Sequence, residues 1–158
     1  MWAKIKPYLF SIAIALGVGG FAAFLIKDNI DMYERILRPA LAPKAAVFPI
    51  AWTILYVLMG ISSARVWLQR KEQPELVLDA LFASVIQLIL NFFWSLLFFN
   101  MQNFLFSFIW LILLWAAIVI MMIRFYRVDP LAAYLQIPYL LWVTFAGYLN
   151  FMIYRLNP

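Results

Sequence analysis

Five long apolar runs, separated by four polar connectors, account for almost the whole chain. The runs cover about 7–26, 46–69, 76–99, 104–123 and 131–154. Each is close to the roughly 20 residues an α-helix needs to cross a hydrocarbon core. Hydrocarbon gives a backbone no hydrogen-bond partner, so a crossing segment satisfies its own amides, which a helix does within one run. The pattern predicts an all-α fold, an integral membrane bundle of five transmembrane helices forming a single domain over residues 1–158. The first run follows Lys4 and Lys6, as in a signal peptide. It lacks a small-x-small cleavage site followed by a soluble domain, and is expected to be a retained span.

The connectors differ. Residues 27–45 form the longest one and carry a helical pattern of their own. Asp31 with Arg35, and Glu34 with Arg38, are i, i+4 pairs with the acid first, while Ile30, Tyr33 and Leu37 fall on the other side. A short amphipathic helix lying on the bundle is predicted there, ended by Pro39 and Pro43. A structured connector of this length suits a lid or binding loop better than a plain linker. Residues 100–103 make a tight uncharged turn, which predicts adjacent, antiparallel third and fourth spans.

Polar and small residues inside the spans carry the remaining information. In the first span Ala15, Gly19 and Ala23 recur every four residues, a spacing that lets another helix approach closely, within the bundle or across a dimer. In the second, Pro49 stands in the first turn, and Trp52, Tyr56 and Met59 share one face at i, i+4, i+7. In the third, Ser84, Gln87 and Asn91 step along one face that Trp94 and Ser95 continue. An unpaired amide is costly in hydrocarbon, so this stripe serves interhelical hydrogen bonds, a ligand, or both. The fifth span carries Pro138, expected to bend it, and Trp142, Phe145 and Leu149 on one side with Ala146 and Asn150 beside them.

Composition narrows the chemistry. The chain is 68% hydrophobic and 12% charged, far from a soluble domain and consistent with a lipid bilayer as solvent. The net charge of +5 is scattered over the connectors, which fits membrane-flank anchoring and not a nucleic-acid surface. The distribution of Lys and Arg favours a cytoplasmic amino terminus and an outward-facing lid. With no cysteine and no histidine, the usual metal ligands and every Ser-His or Cys-His nucleophile are absent, so no metal site and no cofactor are expected. Asp79, near a span end, is the one acid within the predicted spans, so neither a carboxylate pair nor a mid-membrane proton carrier is evident. Aromatics and amides remain, and they suit a large, flat, mostly apolar ligand held by stacking and a few hydrogen bonds. Tryptophan also absorbs light and can donate an electron to a bound photosensitiser.

Three stretches in register then resemble a known family, the tryptophan-rich sensory protein or translocator protein (TspO/MBR, peripheral-type benzodiazepine receptor) family. They are Val47-Phe48-Pro49-Ile50-Ala51-Trp52-Thr53-Ile54-Leu55-Tyr56 with Met59-Gly60, then Gln87-Leu88-Ile89-Leu90-Asn91-Phe92-Phe93-Trp94 followed by Phe98-Phe99, and Pro138-Tyr139-Leu140-Leu141-Trp142-Val143-Thr144-Phe145-Ala146 with Leu149-Asn150. The resemblance implies a five-helix bundle, commonly a homodimer, in a bacterial cell membrane. It also implies a pocket beneath the first connector for porphyrins and synthetic isoquinoline-type ligands. By position it assigns Trp52 and Trp142 to light-dependent breakdown of protoporphyrin. Tyr33 and Asn91 match pocket-lining positions, and Ala146 matches a small residue whose enlargement perturbs recognition.

The first connector departs from the family pattern. Met32 precedes Tyr33, Arg38-Pro39-Ala40-Leu41 replaces the tryptophan-bearing part, and Lys44 stands for the second proline. Two aromatic contacts are thereby missing from the lid. Tyr154 runs directly into Arg155, so the carboxy-terminal cholesterol pattern is unmet. The expected ligand-binding set is Tyr33, Trp52, Tyr56, Gln87, Asn91, Trp94, Pro138, Trp142, Phe145, Ala146 and Asn150. The expected function is a membrane-embedded binding protein for porphyrins or related flat apolar molecules, with a sensory or transport role. Light-dependent degradation of bound protoporphyrin through Trp52 and Trp142, or a structural membrane partner without small-molecule chemistry, are the alternatives.

Overall fold

The computed structural model describes residues 2–158. Seven helices follow one another: α1 (Trp2–Ile26), α2 (Met32–Arg35), α3 (Val47–Leu68), α4 (Pro74–Ser95, continued by a π-turn, Leu96–Asn100), α5 (Phe104–Val128), α6 (Pro130–Tyr134) and α7 (Ile137–Leu156). No strand occurs among the described residues. Five segments are long and apolar enough to cross a membrane, α6 and α7 together making the fifth. The protein is a multi-pass integral membrane protein.

Local chemistry sets the helix boundaries. Pro74 and Pro130 open α4 and α6 at positions whose N–H would lack a partner in any case. The Asn103 side chain caps α5 by accepting from the amide of Phe106 (3.1 Å), and Asp129 caps α6 by accepting from Leu131 N (3.0 Å). The turn between α4 and α5 closes through Gln102, a non-glycine residue at φ 51°.

Two expectations change. Of the amphipathic helix in the first connector only the single turn Met32–Arg35 forms, with Tyr33 buried. Neither Asp31–Arg35 nor Glu34–Arg38 closes as an ion pair, and the second is parted because the chain is already extended at Ile36. Pro138, expected to bend a continuous span, instead stands in the first turn of a new helix. Without an N–H it cannot bond the carbonyl of Tyr134, and the chain breaks at Leu135–Gln136 between α6 and α7.

The helices form a ring in which α1 packs along α3, α4 along α5 and α5 along α7, while α6 closes onto the end of α3. Gly60 lets α1 and α3 touch, since a Cβ there would lie 2.5 Å from Ile12 Cα. Apolar side chains such as Phe10, Leu78, Phe82 and Leu141 point outward, as lipid contact requires. Lipid tails are as apolar as these side chains, so cohesion rests on close packing and internal hydrogen bonds. At the amino-terminal end two ion pairs lock the corners: Arg65 Nε to Asp129 Oδ2 (2.8 Å) and Arg124 Nη1 to Asp79 Oδ1 (2.8 Å). Asp79, unpaired in the sequence pattern, is therefore tied to α5.

Candidate functional site

A cavity of about 140 Å³ lies under the first connector, among α1, α3, the α4 end with its π-turn, and α7. It exists because the backbones of α3 and α7 stay apart and bulky rings span the gap. Trp52 meets Tyr139 edge-on with ring centroids 6.2 Å apart, and Phe48 meets Trp142 at 5.9 Å. Gly19, Ala22 and Ala23 of α1 give one wall too small to fill the space. Trp52 and Tyr56 of α3 give the second, Trp94, Ser95 and Phe98 of α4 the third, and Ala146, Leu149 and Asn150 of α7 the fourth. The rings make a continuous aromatic surface: Trp52 lies 5.7 Å from Tyr56 and 6.2 Å from Trp94, and Trp94 lies 5.6 Å from Phe98. Such faces bind a flat conjugated ligand by stacking.

Below this surface a buried chain of hydrogen bonds fixes the rings. Tyr56 Oη donates to Asn91 Oδ1 (2.8 Å), Asn91 Nδ2 donates to Tyr139 Oη (2.8 Å), and Tyr139 Oη donates to Gln87 Oε1 (2.7 Å). Gln87 Nε2 points at the Met59 sulfur at 4.0 Å. Asn91, Gln87 and Tyr139 have essentially no exposure. Each polar group in the chain has a partner, as a low-dielectric interior demands, and removing one strands its neighbours at about 1–3 kcal/mol per group. Higher up, Asn150 Oδ1 accepts from Trp94 Nε1 (3.2 Å) and Ser107 Oγ (3.1 Å), while its Nδ2 donates to the Phe104 carbonyl (2.8 Å). Asn150 thus holds the Trp94 indole in the wall.

The first connector forms the roof. Tyr33 reaches down, donates to the Pro43 carbonyl (2.9 Å) and meets Phe48 edge-on at 5.0 Å. The Arg38 guanidinium covers the Tyr33 ring at 4.9 Å. Burial pushes the Tyr33 phenol above its ordinary value, against the opposing pull of Arg38, so the hydroxyl stays protonated and keeps donating. Three carboxamides, those of Asn29, Asn100 and Asn157, pin the roof to helix ends. Asn29 Nδ2 donates to Asn100 Oδ1 (2.9 Å), and Asn100 Nδ2 donates to the Leu25 carbonyl (3.0 Å). Asn157 takes Leu37 from both sides, accepting from its amide (3.0 Å) and donating to its carbonyl (2.9 Å).

The structure brings six of the expected residues, Tyr33, Trp52, Tyr56, Trp94, Ala146 and Asn150, to the cavity lining. Gln87 and Asn91 lie one layer beneath it, engaged with Tyr56 and Tyr139. Pro138, Trp142 and Phe145 are outside the lining. Phe48 lines the cavity and covers Trp142, whose buried Nε1 finds no partner, and Phe145 packs on Trp142 at 5.9 Å. The polar stripe of α4 therefore divides: Ser84 pairs with Ser63 (3.2 Å), Gln87 and Asn91 cross-link helices, and Trp94 and Ser95 face the cavity. Ala15 and Gly19 pack inside the bundle, Ala15 buried and Gly19 against Tyr56. Sequence reasoning placed Ser95 on the polar stripe but not in the expected binding set, and it left Tyr139 and Phe48 out of that set. A tyrosine in an apolar span needs a partner for its hydroxyl, which was a usable signal for Tyr139.

Comparison with known proteins agrees with this architecture. The chain is 40% identical to the tryptophan-rich protein TspO of Chlorobaculum tepidum over 93% of its own length and 92% of that protein. It is 38% identical to the protein CrtK of Rhodobacter capsulatus over 80% of this chain and 78% of the relative. With the human translocator protein it shares 30% identity over 94% of this chain and 88% of that one. The profile of the TspO/MBR family matches residues 10–155, and the chain belongs to that family.

Proposed function

We propose that the protein is a membrane-embedded receptor for porphyrins and related flat, largely apolar molecules, with a sensory or transport role. The observation that carries this reading is the aromatic cavity: Trp52, Tyr56, Trp94 and Phe98 present ring faces to one space roofed by a pinned connector. No charged side chain lines that space, so a ligand enters it by its apolar faces. The names tryptophan-rich sensory protein and translocator protein, borne by relatives, accord with sensing or movement of such a ligand. Titrating the purified protein with protoporphyrin IX in the dark tests the reading. Saturable quenching of tryptophan fluorescence at one equivalent is expected, and its absence up to tens of micromolar ligand refutes it.

One observation favours a second, additional activity. Trp52 lines the cavity and touches three other rings, so its indole would adjoin a bound porphyrin. Under light the excited porphyrin takes an electron from Trp52 and passes it to dioxygen, giving superoxide. The Trp52 radical cation recovers an electron from the macrocycle, and the porphyrin cation so formed combines with superoxide, so that one dioxygen is added to the ring and Trp52 is restored. Loss of the porphyrin Soret absorption on illumination of the aerobic complex, absent in argon, is the expected result. Trp142 is outside the lining and packs edge-on against Phe48, which lines the cavity.

A further inference from the structure

Four arginines, Arg65, Arg70, Arg124 and Arg127, stand at the amino-terminal end of the bundle, and the protein itself engages three of them. Arg65 pairs with Asp129 and Arg124 with Asp79, each at 2.8 Å. Arg70 lies over the Trp67 ring at 4.5 Å and donates to the Trp67 carbonyl (3.1 Å). Arg127, in the last turn of α5, has no ion pair among the described residues. The carboxylate two residues on is already taken: Asp129 gives Oδ2 to Arg65 and Oδ1 to the amide of Leu131 (3.0 Å). Arg127 is exposed, and it stands at the mouth of a groove.

That groove, of about 400 Å³, runs along α5 opposite the break between α6 and α7. Its inner part is apolar, with Val119 and Ile123 of α5 facing Ile137 of α7. Its outer part lies among Tyr126 and Arg127 of α5 and Tyr134 of α6. At the helical rise the distance from Val119 to Arg127 is about 12 Å, most of the roughly 15 Å depth of one hydrocarbon leaflet. Both tyrosines are exposed, and their rings meet edge-on at 5.9 Å, bridging α5 and α6. Tyrosines at such a level keep the ring in hydrocarbon and the hydroxyl among headgroups. A second groove of about 420 Å³ lies between α5 and α7 toward their other ends, and no charged side chain lines it. Shape does not set the first groove apart; its uncompensated cation does.

We propose that this groove binds an anionic phospholipid of the phosphatidylglycerol type, with one acyl chain along Val119 and Ile123 and the phosphodiester on Arg127 and the two tyrosine hydroxyls. A guanidinium presents a planar fork of donors that matches phosphate oxygens, and charge-assisted bonds of this kind are roughly twice as strong as neutral ones. Basic pockets between membrane helices select anionic headgroups for the same reason. Phosphatidylcholine offers the same chains and the same phosphate, but its choline cation offsets the attraction to Arg127. A lipid seated here touches α5, α6 and α7 and braces the break that Pro138 creates. The site is independent of the porphyrin reading, since its lining shares no residue with the cavity under the first connector.

Native mass spectrometry of the detergent-solubilised full chain, titrated with phosphatidylglycerol or phosphatidylcholine of identical acyl chains, tests the site. The parent is expected to take up its first phosphatidylglycerol roughly five- to tenfold more tightly than phosphatidylcholine, the range of one cationic contact at a membrane surface. Arg127→Gln should lose that preference by weakening phosphatidylglycerol alone, and Arg127→Lys, which keeps the charge without the fork, should keep part of it. Arg70→Gln removes the same charge from the same end of the bundle and should leave the preference intact. Glycerol phosphate, the anion without chains, should not displace the lipid at equal concentration. A parent without preference, or Arg127→Gln with the parent's preference, overturns the assignment. Equal loss in Arg127→Gln and Arg70→Gln reduces it to net charge and overturns it as well. So does equal weakening of both lipids in Arg127→Gln, which makes the residue a packing element, and so does displacement by glycerol phosphate, which leaves a bare anion site.

Discussion

Gly19 and Tyr56 are fitted to each other across the α1–α3 interface: a Cβ on Gly19 would fall within 2.6 Å of Tyr56 Cδ2 and closer still to Cε2. The phenol ring therefore lies on bare α1 backbone, and its hydroxyl arrives at Asn91 with a bond of 2.8 Å. A methyl at Gly19 must displace a ring that is held at its far end. Gly19→Ala is expected to lower stability by about 1–3 kcal/mol, the usual cost of overpacking, and to weaken porphyrin quenching because Tyr56 is part of the wall. Gly17→Ala, where nothing lies within 4 Å of the new Cβ, should be neutral or slightly stabilising. Thermal unfolding of the two variants in detergent checks the contrast, and equal melting points would contradict it.

Asn91 joins two phenols and touches no ligand space directly. Asn91→Ala leaves the Tyr56 hydroxyl without its acceptor in a water-free interior, a loss on the order of 1–3 kcal/mol, and takes one of two partners from Tyr139, which still donates to Gln87. A fall in melting temperature larger than that of any single cavity-wall substitution is expected. Binding measured well below that temperature should change less than it does in Trp52→Phe. A variant that melts like the parent yet fails to bind would place Asn91 in contact with the ligand instead.

The two tryptophans assigned together by resemblance should separate in experiment. Trp52 faces the cavity, whereas Trp142 is covered by Phe48. Trp52→Phe is expected to reduce dark quenching and to slow light-driven porphyrin loss several-fold. Trp142→Phe should act weakly, through the packing of Phe48, and leave the photochemical rate within about twofold of the parent. These effects are of the order expected from losing one aromatic contact at most. Illumination with Soret-band monitoring reads both rates, and equal slowing in the two variants would show that Trp142 reaches the guest.

Asn157 holds the roof by gripping Leu37 at both its amide and its carbonyl. Asn157→Ala removes both bonds without touching the cavity wall. Faster ligand association and faster dissociation are therefore expected, each by several-fold, with a smaller change in their ratio, because the roof gates access more than it contacts the guest. Stopped-flow quenching separates the two rates. Unchanged rates would mean that ligands reach the cavity between helices from the bilayer.

The hydrophobic pattern by itself determined the membrane bundle. A run near 20 apolar residues has one stable solution in hydrocarbon, so five such runs specified five crossings and the side on which each connector lies. The same period placed Trp52 and Tyr56 on one face, and the spacing of Trp94 marked the α4 face they meet. Tertiary structure decided which polar residues serve the fold and which serve a ligand. Helical periodicity puts Gln87, Asn91 and Ser95 on one stripe, but it does not say how deep the opposite helix stands. Tyr139 comes from α7, 48 residues from Asn91, and only its arrival turns Asn91 into a cross-link and leaves Ser95 facing open space. The face of Trp142 was legible in the same way, but its contact with the Phe48 ring, which belongs to another helix, was not. A proline's missing amide was equally visible, yet whether it bends a span or starts a new helix depends on the packing of α6 against α3.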